Sequence, residues 1–259
     1  VRFADAGVEV AVHHPTSGGF TRHSHDEFVI SVNLTGSERV RLDGRVFDVG
    51  TDAVTTYNPG QVQSCTTDVA DGQRWGCASI YVDPGAVTRW TGRDTVDMPT
   101  AVLPSAQLHT AVVQFVRHWR TQPQGQESEE RLAQDTVALL ARLIPADAAS
   151  PGPVPPGDAR VQRLLDRLRG DLANPIRIAD LADEEGCSRE QLIRTFTAAT
   201  GTPPYAWQLQ TRLIEARRRL RAGGHIATIA VDLGFADQAH LTRHFTSAYG
   251  RSPARDRRG

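Results

Sequence analysis

The sequence predicts an α+β protein of two domains: an N-terminal β-barrel with two trailing helices, and a C-terminal all-α domain built from a tandem helix-turn-helix. Three observations carry this. Residues 1 to about 96 break into short β-branched segments, residues 145–158 are rich in Pro and Gly, and the helical pattern after them repeats itself. With 259 residues, 39% hydrophobic and 23% charged, the chain has material for two ordinary cores.

The strand segments come first. FVISVNL (28–34), ERVRLDG (38–44), RVFDVG (45–50) and AVTTYNP (53–59) are punctuated by Gly, Asp and Pro, as in an antiparallel sandwich or barrel. LDGR supplies an Asp-Gly hairpin turn between two of them. Two helices are expected over about 104–144. Leu108, Val112, Phe115, Val116 and Trp119 share one helical face, and Leu132, Thr136, Leu139, Leu140 and Leu143 share another. Acidic residues in SEER open the second helix, where the helix dipole favours them. Those faces either cover the barrel or pair with a second subunit.

PADAASPGPVPPGD (145–158) reads as an extended linker. The expected domains are therefore 1–145, a linker at 146–158, and 159–259. Helices are predicted at 159–173, 177–185, 188–200, 204–222, 226–233 and 237–248, separated by Gly186, Gly201, Gly223, Gly224 and Gly234. IADLADEEGCSREQLIRTF (178–196) overlays IATIAVDLGFADQAHLTRHF (226–245). Ile178, Ala182 and Gly186 match Ile226, Ala230 and Gly234 at a spacing of 48, and Leu192 and Phe196 match Leu241 and Phe245 at 49. Small Ala permits close helix approach and Gly a tight or left-handed turn, the physical logic of a helix-turn-helix.

In each second helix the Leu and Phe face the core, so the other face is exposed. The first carries Arg189, Glu190, Ile193, Arg194 and Thr197; the second carries Gln238, Ala239, His240, Thr242, Arg243 and Thr246. Arg pairs with guanine O6 and N7, and Gln with adenine N6 and N7. The predicted helix at 204–222 would span roughly 28 Å at about 1.5 Å per residue, close to the ~34 Å of one DNA turn. Arg212, Arg217, Arg218, Arg219 and Arg221 lie along it, to meet phosphate or pair with carboxylates such as Glu215; Arg218 is the phosphate candidate. Charge agrees: residues 158–259 hold 17 Arg against 12 acidic residues, and residues 1–157 hold 12 Arg against 18.

Residues 159–257 resemble the double helix-turn-helix domain of AraC/XylS-family transcription regulators, and DLGFADQAHLTRHFTSAYGRSP carries the family's most specific block. The resemblance implies bacterial regulation of transcription through double-stranded DNA. It puts Glu190, Ile193 and Arg194 at base-facing positions of the first reading helix, and Gln238, Ala239, His240, Thr242 and Arg243 at those of the second. RHSHDEFVISVNL onward resembles the family's cupin-type sensor domain, which implies a small-molecule effector, a homodimer and, for an activator, RNA polymerase as a partner.

Cupin enzymes hold Fe, Mn or Zn with two His, a Glu and a later His. Here His23, His25 and Glu27 match, but Gln63 stands in place of the later His, and amide oxygen is a poor transition-metal ligand beside imidazole. The expectation is no metal, no cofactor and no enzymatic activity. The cluster instead helps line an effector pocket with Phe20, Arg22, Tyr57, Trp75 and Tyr81, or its histidines are structural, held by local hydrogen bonds at the barrel mouth. Two alternatives stay open: a metal-dependent cupin enzyme fused to a DNA-binding domain, and an effector-independent regulator whose barrel only dimerises. No GxSxG, P-loop or Rossmann fingerprint occurs. There is no run of roughly 18 apolar residues, VRFADAGVEVAVHHP lacks the layout of a secretory signal, and three Cys without a CxxC pair favour a reducing cytoplasm.

Overall fold

The computed structural model describes residues 1–15, 18–42, 44–68, 74–93, 96–144 and 159–257. The chain divides into two compact units, Val1–Gly152 and Pro153–Gly259. The predicted linker lies outside the described residues, as does Asp43 of the predicted hairpin turn. Its neighbour Gly44 has φ 76°.

The first unit holds β1 (Arg2–Phe3), β2 (Val8–His13), β3 (Gly19–His23), β4 (Phe28–Thr35), β5 (Ser37–Leu42), β6 (Arg45–Val49), β7 (Ala53–Tyr57), β8 (Gln63–Asp68), β9 (Gly76–Val82) and β10 (Val102–Pro104), with α1 (Pro84–Thr91), α2 (Ala106–Trp119) and α3 (Gln126–Leu140). The strands pair antiparallel in two sheets, ordered β1-β2-β9-β4-β7-β10 and β3-β8-β5-β6.

Side-chain alternation gives the six-stranded sheet two unlike faces. Val8, Val10, Phe28, Ile30, Val32, Ala78, Ile80 and Val82 form one apolar core with Leu108, Val112, Val116 and Trp119 of α2 and Leu132, Leu139 and Leu140 of α3. Each such fully buried Leu or Phe contributes roughly 1.5–3 kcal/mol. The apolar faces of both helices are thus spent in this core. The opposite face turns to the four-stranded sheet, where Val29, Tyr57 and Tyr81 pack with Val40 and Leu42. That interior also buries Glu9, His13, Ser31, Asn33 and Ser79 from one sheet and Glu38 and Gln63 from the other.

Two features differ from expectation. The stretch to residue 96 is not all strand, because α1 interrupts it. Asp83 caps the helix by accepting from the Ala86 N–H at 3.1 Å, Pro84 starts it, and Gly92 at φ 66° ends it. A further strand, β10, pairs with β7 beyond that point.

The second unit is helical: α4 (Ala159–Gly170), α5 (Ile178–Glu184), α6 (Arg189–Thr200), α7 (Pro204–Arg221), α8 (Ile226–Asp232), α9 (Gln238–Tyr249) and the short α10 (Pro253–Asp256), which was not expected. It has two cores, one per repeat. Leu181, Ala182, Leu192 and Phe196 pack with Val161, Leu164 and Leu168 of α4, and Trp207 from α7 packs against them. Ile229, Ala230, Leu241 and Phe245 pack with Leu213, Ala216 and Leu220 of α7. The long helix is therefore rooted in both cores.

Gly186 and Gly234 adopt φ 61° and 70°, the left-handed turn that the repeat calls for. Gly234 is the tighter: a Cβ there would overlap the Ala173 carbonyl and sit 2.9 Å from Arg212 Nη2. The added residue of the second repeat falls in its turn, where Phe235 is buried against the core. Each second helix starts on a capping side chain: Ser188 Oγ accepts from the Gln191 N–H at 3.1 Å, and Asp237 Oδ1 from the His240 N–H at 2.6 Å.

Candidate nucleic-acid interface and effector site

With Leu192 and Phe196 buried, the outer face of α6 presents Arg189, Glu190, Ile193 and Arg194, all exposed. With Leu241 and Phe245 buried, α9 presents Gln238, Ala239, Arg243 and Thr246. The side chains of Arg189, Glu190, Arg194, Gln238 and Arg243 make no hydrogen bond or ion pair among the described residues. Their donors and acceptors are open to an outside partner.

Three expected members of these faces differ. Thr197 is half-buried and its hydroxyl is shielded from solvent, so it is not part of the outer surface of α6. The helix turns this position toward the core, one turn after Ile193 and next to Phe196. His240 is half-buried, and its ring is committed to the turn. Nδ1 accepts from the Ala236 N–H at 3.1 Å, Nε2 lies 3.0 Å from His244 Nε2, and the ring meets Phe235 edge-on. Burial, then His240 and Arg243, lower the His244 pKa. Thr242 donates its hydroxyl to the Gln238 carbonyl at 2.8 Å.

The arginines of α7 are mostly engaged. Arg212 is buried and donates to the Asn174 carbonyl at 2.8 Å and to the Gly234 carbonyl at 3.2 Å, tying the chain before α5 to the second turn. Arg217, Arg221 and Arg251 surround the buried carboxylate of Asp256 at 3.5, 3.8 and 2.6 Å. Arg219 bonds Glu215 and Asp232. Arg218 is exposed but holds Glu215 through two bonds of 2.7 Å, and these, with Arg219, keep the Glu215 pKa low. Sequence reasoning passed over Arg177 and His225, exposed residues 48 apart at the entries of α5 and α8. The repeat spacing was the signal that could have found them.

In the first unit the predicted polar cluster assembles from the end of one strand and the loop that follows it. His23 ends β3, while His25 and Glu27 lie in the loop before β4. His23 Nδ1 donates to the Thr21 carbonyl at 2.7 Å, so its Nε2 accepts, from His25 Nε2 at 3.1 Å and Gln63 Nε2 at 3.4 Å. His25 Nδ1 faces Glu27 at 3.8 Å. Glu27 thus stands behind the imidazole pair, and among the described residues no three His, Cys, Asp or Glu side chains are placed to hold a metal ion.

Phe20 meets His23 and Trp75 edge-on, and Trp75 donates to Asn33 at 2.9 Å. Tyr81 contacts the His25 ring and bonds His13 Nε2 at 3.0 Å. Tyr57 is buried in the same interior. Arg22 departs from expectation: it is exposed on β3, where a register break between Phe20 and His23 lets those two side chains both turn inward and leaves Thr21 and Arg22 outside. Among the interior residues missed from sequence are His13, Asn33 and Glu38. Glu38 shares the inward row of β5 with Val40 and Leu42, so the alternation in ERVRL was the available signal. Burial raises the Glu38 carboxyl to about 7, and burial with the nearby Glu38 charge pushes the Cys65 and Cys77 thiols up, so both stay protonated and unreactive.

Comparison with known proteins gives the family and the fold. The family model for an AraC-like ligand binding domain matches residues 6–186, and one for a helix-turn-helix domain matches residues 181–259. The HTH-type transcriptional regulator YbfI of Bacillus subtilis is 24% identical over 226 residues, 86% of this chain and 81% of that protein. The HTH-type transcriptional activator RhaS of Pectobacterium atrosepticum is 34% identical over 94 residues, 36% of this chain and 34% of its own. Among solved structures, an apo form of ToxT from Vibrio cholerae, itself a point variant, shares the fold across 97% of both chains at a TM-score of 0.60 and 14% identity. An unsaturated fatty acid-bound ToxT covers 96% of this chain and 94% of that one at 0.57 and 15%. An N-terminal ligand-binding unit joined in sequence to two stacked helix-turn-helix motifs defines a lineage, and the chain belongs to the AraC/XylS family of transcription regulators.

Proposed function

We propose that α6 and α9 read base edges in successive major grooves, while α7, about 27 Å long over its 18 residues, sets their spacing. One observation carries this reading. The side chains of Arg189, Glu190, Arg194, Gln238 and Arg243 on the two equivalent faces have no internal partner among the described residues, whereas most arginines elsewhere in the unit do. Arg189, Arg194, Gln238 and Arg243 are the base and phosphate contacts, with Arg177 and His225 beside them and Arg218 on phosphate once it leaves Glu215. Glu190 faces a cytosine amino group, and His240 holds the turn. The test is selection from a randomised duplex pool by the full chain. The expected outcome is a site of two dissimilar blocks about one helical turn apart; a pool that stays random, with retention set by salt alone, would overturn the reading.

The interior between the sheets is the effector site in this reading. It buries polar groups that an inert core would exclude, because each costs free energy unless it is hydrogen-bonded. The ToxT neighbour is described with a fatty acid, an anion. Here the chain has no Lys, and no Arg is buried in the described part of the first unit. Glu38, Gln63, Tyr81 and the imidazoles suit an uncharged or cationic small molecule instead. Such a compound raises the unfolding temperature of the wild type and not that of Gln63→Ala. The regulator acts in the bacterial cytoplasm as a homodimer, with RNA polymerase as its further partner if it activates.

A further inference from the structure

Four large apolar side chains are exposed among the described residues: Val46, Ile193, Tyr205 and Val231. Only Ile193 lies on a reading helix. It is 38% exposed and belongs neither to the buried core beneath α6 nor to the partly buried residues around it. Packing therefore does not account for a branched apolar side chain here. Its neighbours on the outer face are Glu190, one turn before it, and Arg194, directly after it, both without internal partners.

The repeat supplies an independent observation. At the spacing of 49 that relates Leu192 to Leu241, Ile193 corresponds to Thr242 and Arg194 to Arg243. Thr242 looks polar, but its hydroxyl is already given to the Gln238 carbonyl. Its one donor is therefore spent, and what it presents beyond the acceptor lone pairs of that oxygen is its γ-methyl group. Both motifs thus place a methyl-bearing side chain immediately before an unpaired arginine, although the two residue types differ. In the major groove a single base carries a methyl group: thymine, at C5. Guanine O6 and N7 are what the following arginine best grips.

We infer that Ile193 and Thr242 are specificity residues that each recognise a thymine 5-methyl group, so that each half of the operator contains one preferred thymine. This rests on the reading of α6 and α9 as DNA-reading helices. Burying one methyl group corresponds to about a fourfold change in affinity, so the contact tunes sequence preference without dominating binding.

The test uses the full chain and the duplex it selects from a random pool. Each thymidine of that duplex is replaced in turn by deoxyuridine, which removes the methyl and leaves base pairing intact. One position in each half is expected to lose about fourfold in affinity. Ile193→Ala, an exposed change, should abolish the loss at the first position only. Thr242→Ser, which deletes the methyl and keeps the bond to Gln238, should abolish it at the second only. Uniform binding to all deoxyuridine duplexes overturns the inference while the DNA-reading assignment stands. So does a loss that persists in both variants. A chain that selects no sequence overturns both.

Discussion

At the scale of single residues, the arginines are sorted by what they already hold. Arg243 holds nothing internal, so Arg243→Ala should leave thermal stability unchanged. It should weaken binding to the selected site by about 1–3 kcal/mol and relax base choice at one position; equal weakening on every duplex would assign it to phosphate. Arg218 must surrender Glu215 before it can bind DNA. Arg218→Ala should therefore weaken all duplexes slightly and lower the salt slope by about one, and an unchanged slope means the pair with Glu215 persists on DNA. Glu38 shows the opposite case, an acid whose burial is costly. Its folded pKa is about 7 against an ordinary 4.5, so between those values the native state binds more protons than the unfolded chain. Its contribution favours folding less and less as pH rises from 4.5 to 7, and levels off above. Glu38→Gln should thus stabilise the first unit by roughly 3 kcal/mol at about pH 8 and change little at about pH 4. Urea melts at the two pH values measure this, and equal gains at both would show that the carboxyl is not the cause.

At the scale of elements, legibility followed locality. The C-terminal helices were readable because Gly and Pro break them and one apolar stripe runs down each; the observed ends fall within a few residues of those expected. Helix α1 carried equally local signals in DPGAVTRWTG, but they sat inside a run of strands and were read with it. What could not be read was pairing between distant residues. Glu215, Asp256 and the Asn174 carbonyl claim the α7 arginines through folded geometry, and Arg22 turns outward at a register break that the alternation of the sequence does not show. The turn glycines show how strongly an element constrains a residue. Both have positive φ, but Gly186 has open space where a Cβ would go, whereas Gly234 lies under the Ala173 carbonyl and Arg212. Gly186→Ala should cost about 1 kcal/mol for backbone strain. Gly234→Ala should cost clearly more and also release Arg212 from its two carbonyls. Comparable denaturation midpoints for the two variants would contradict this ordering.

At the scale of the whole molecule, the two units have separate cores and opposite charge, and each depends on a different buried acid. In the second unit the critical one is Asp256, fully buried at the side chain, which brings three arginines from α7 and the α9–α10 turn to one point. Arg217 also lies over the Tyr249 ring, at 5.1 Å from its centroid, so the cluster fastens the end of the reading helix to the rod. Removing the carboxylate leaves the buried Arg217 charge uncompensated, and breaking a buried pair in this way typically costs about 3–5 kcal/mol. Asp256→Ala should therefore lower one of two calorimetric transitions, that of the second unit, and leave the other in place, while Glu38→Gln at about pH 8 should raise only the transition that Asp256→Ala spares. The same Asp256 variant should lose DNA affinity on every sequence alike, because the helix as a whole loses its seat while each base-reading side chain remains. If both transitions moved together in either variant, the units would be energetically one body, and an effector could act on DNA binding through stability itself rather than through the relative placement of the two reading helices.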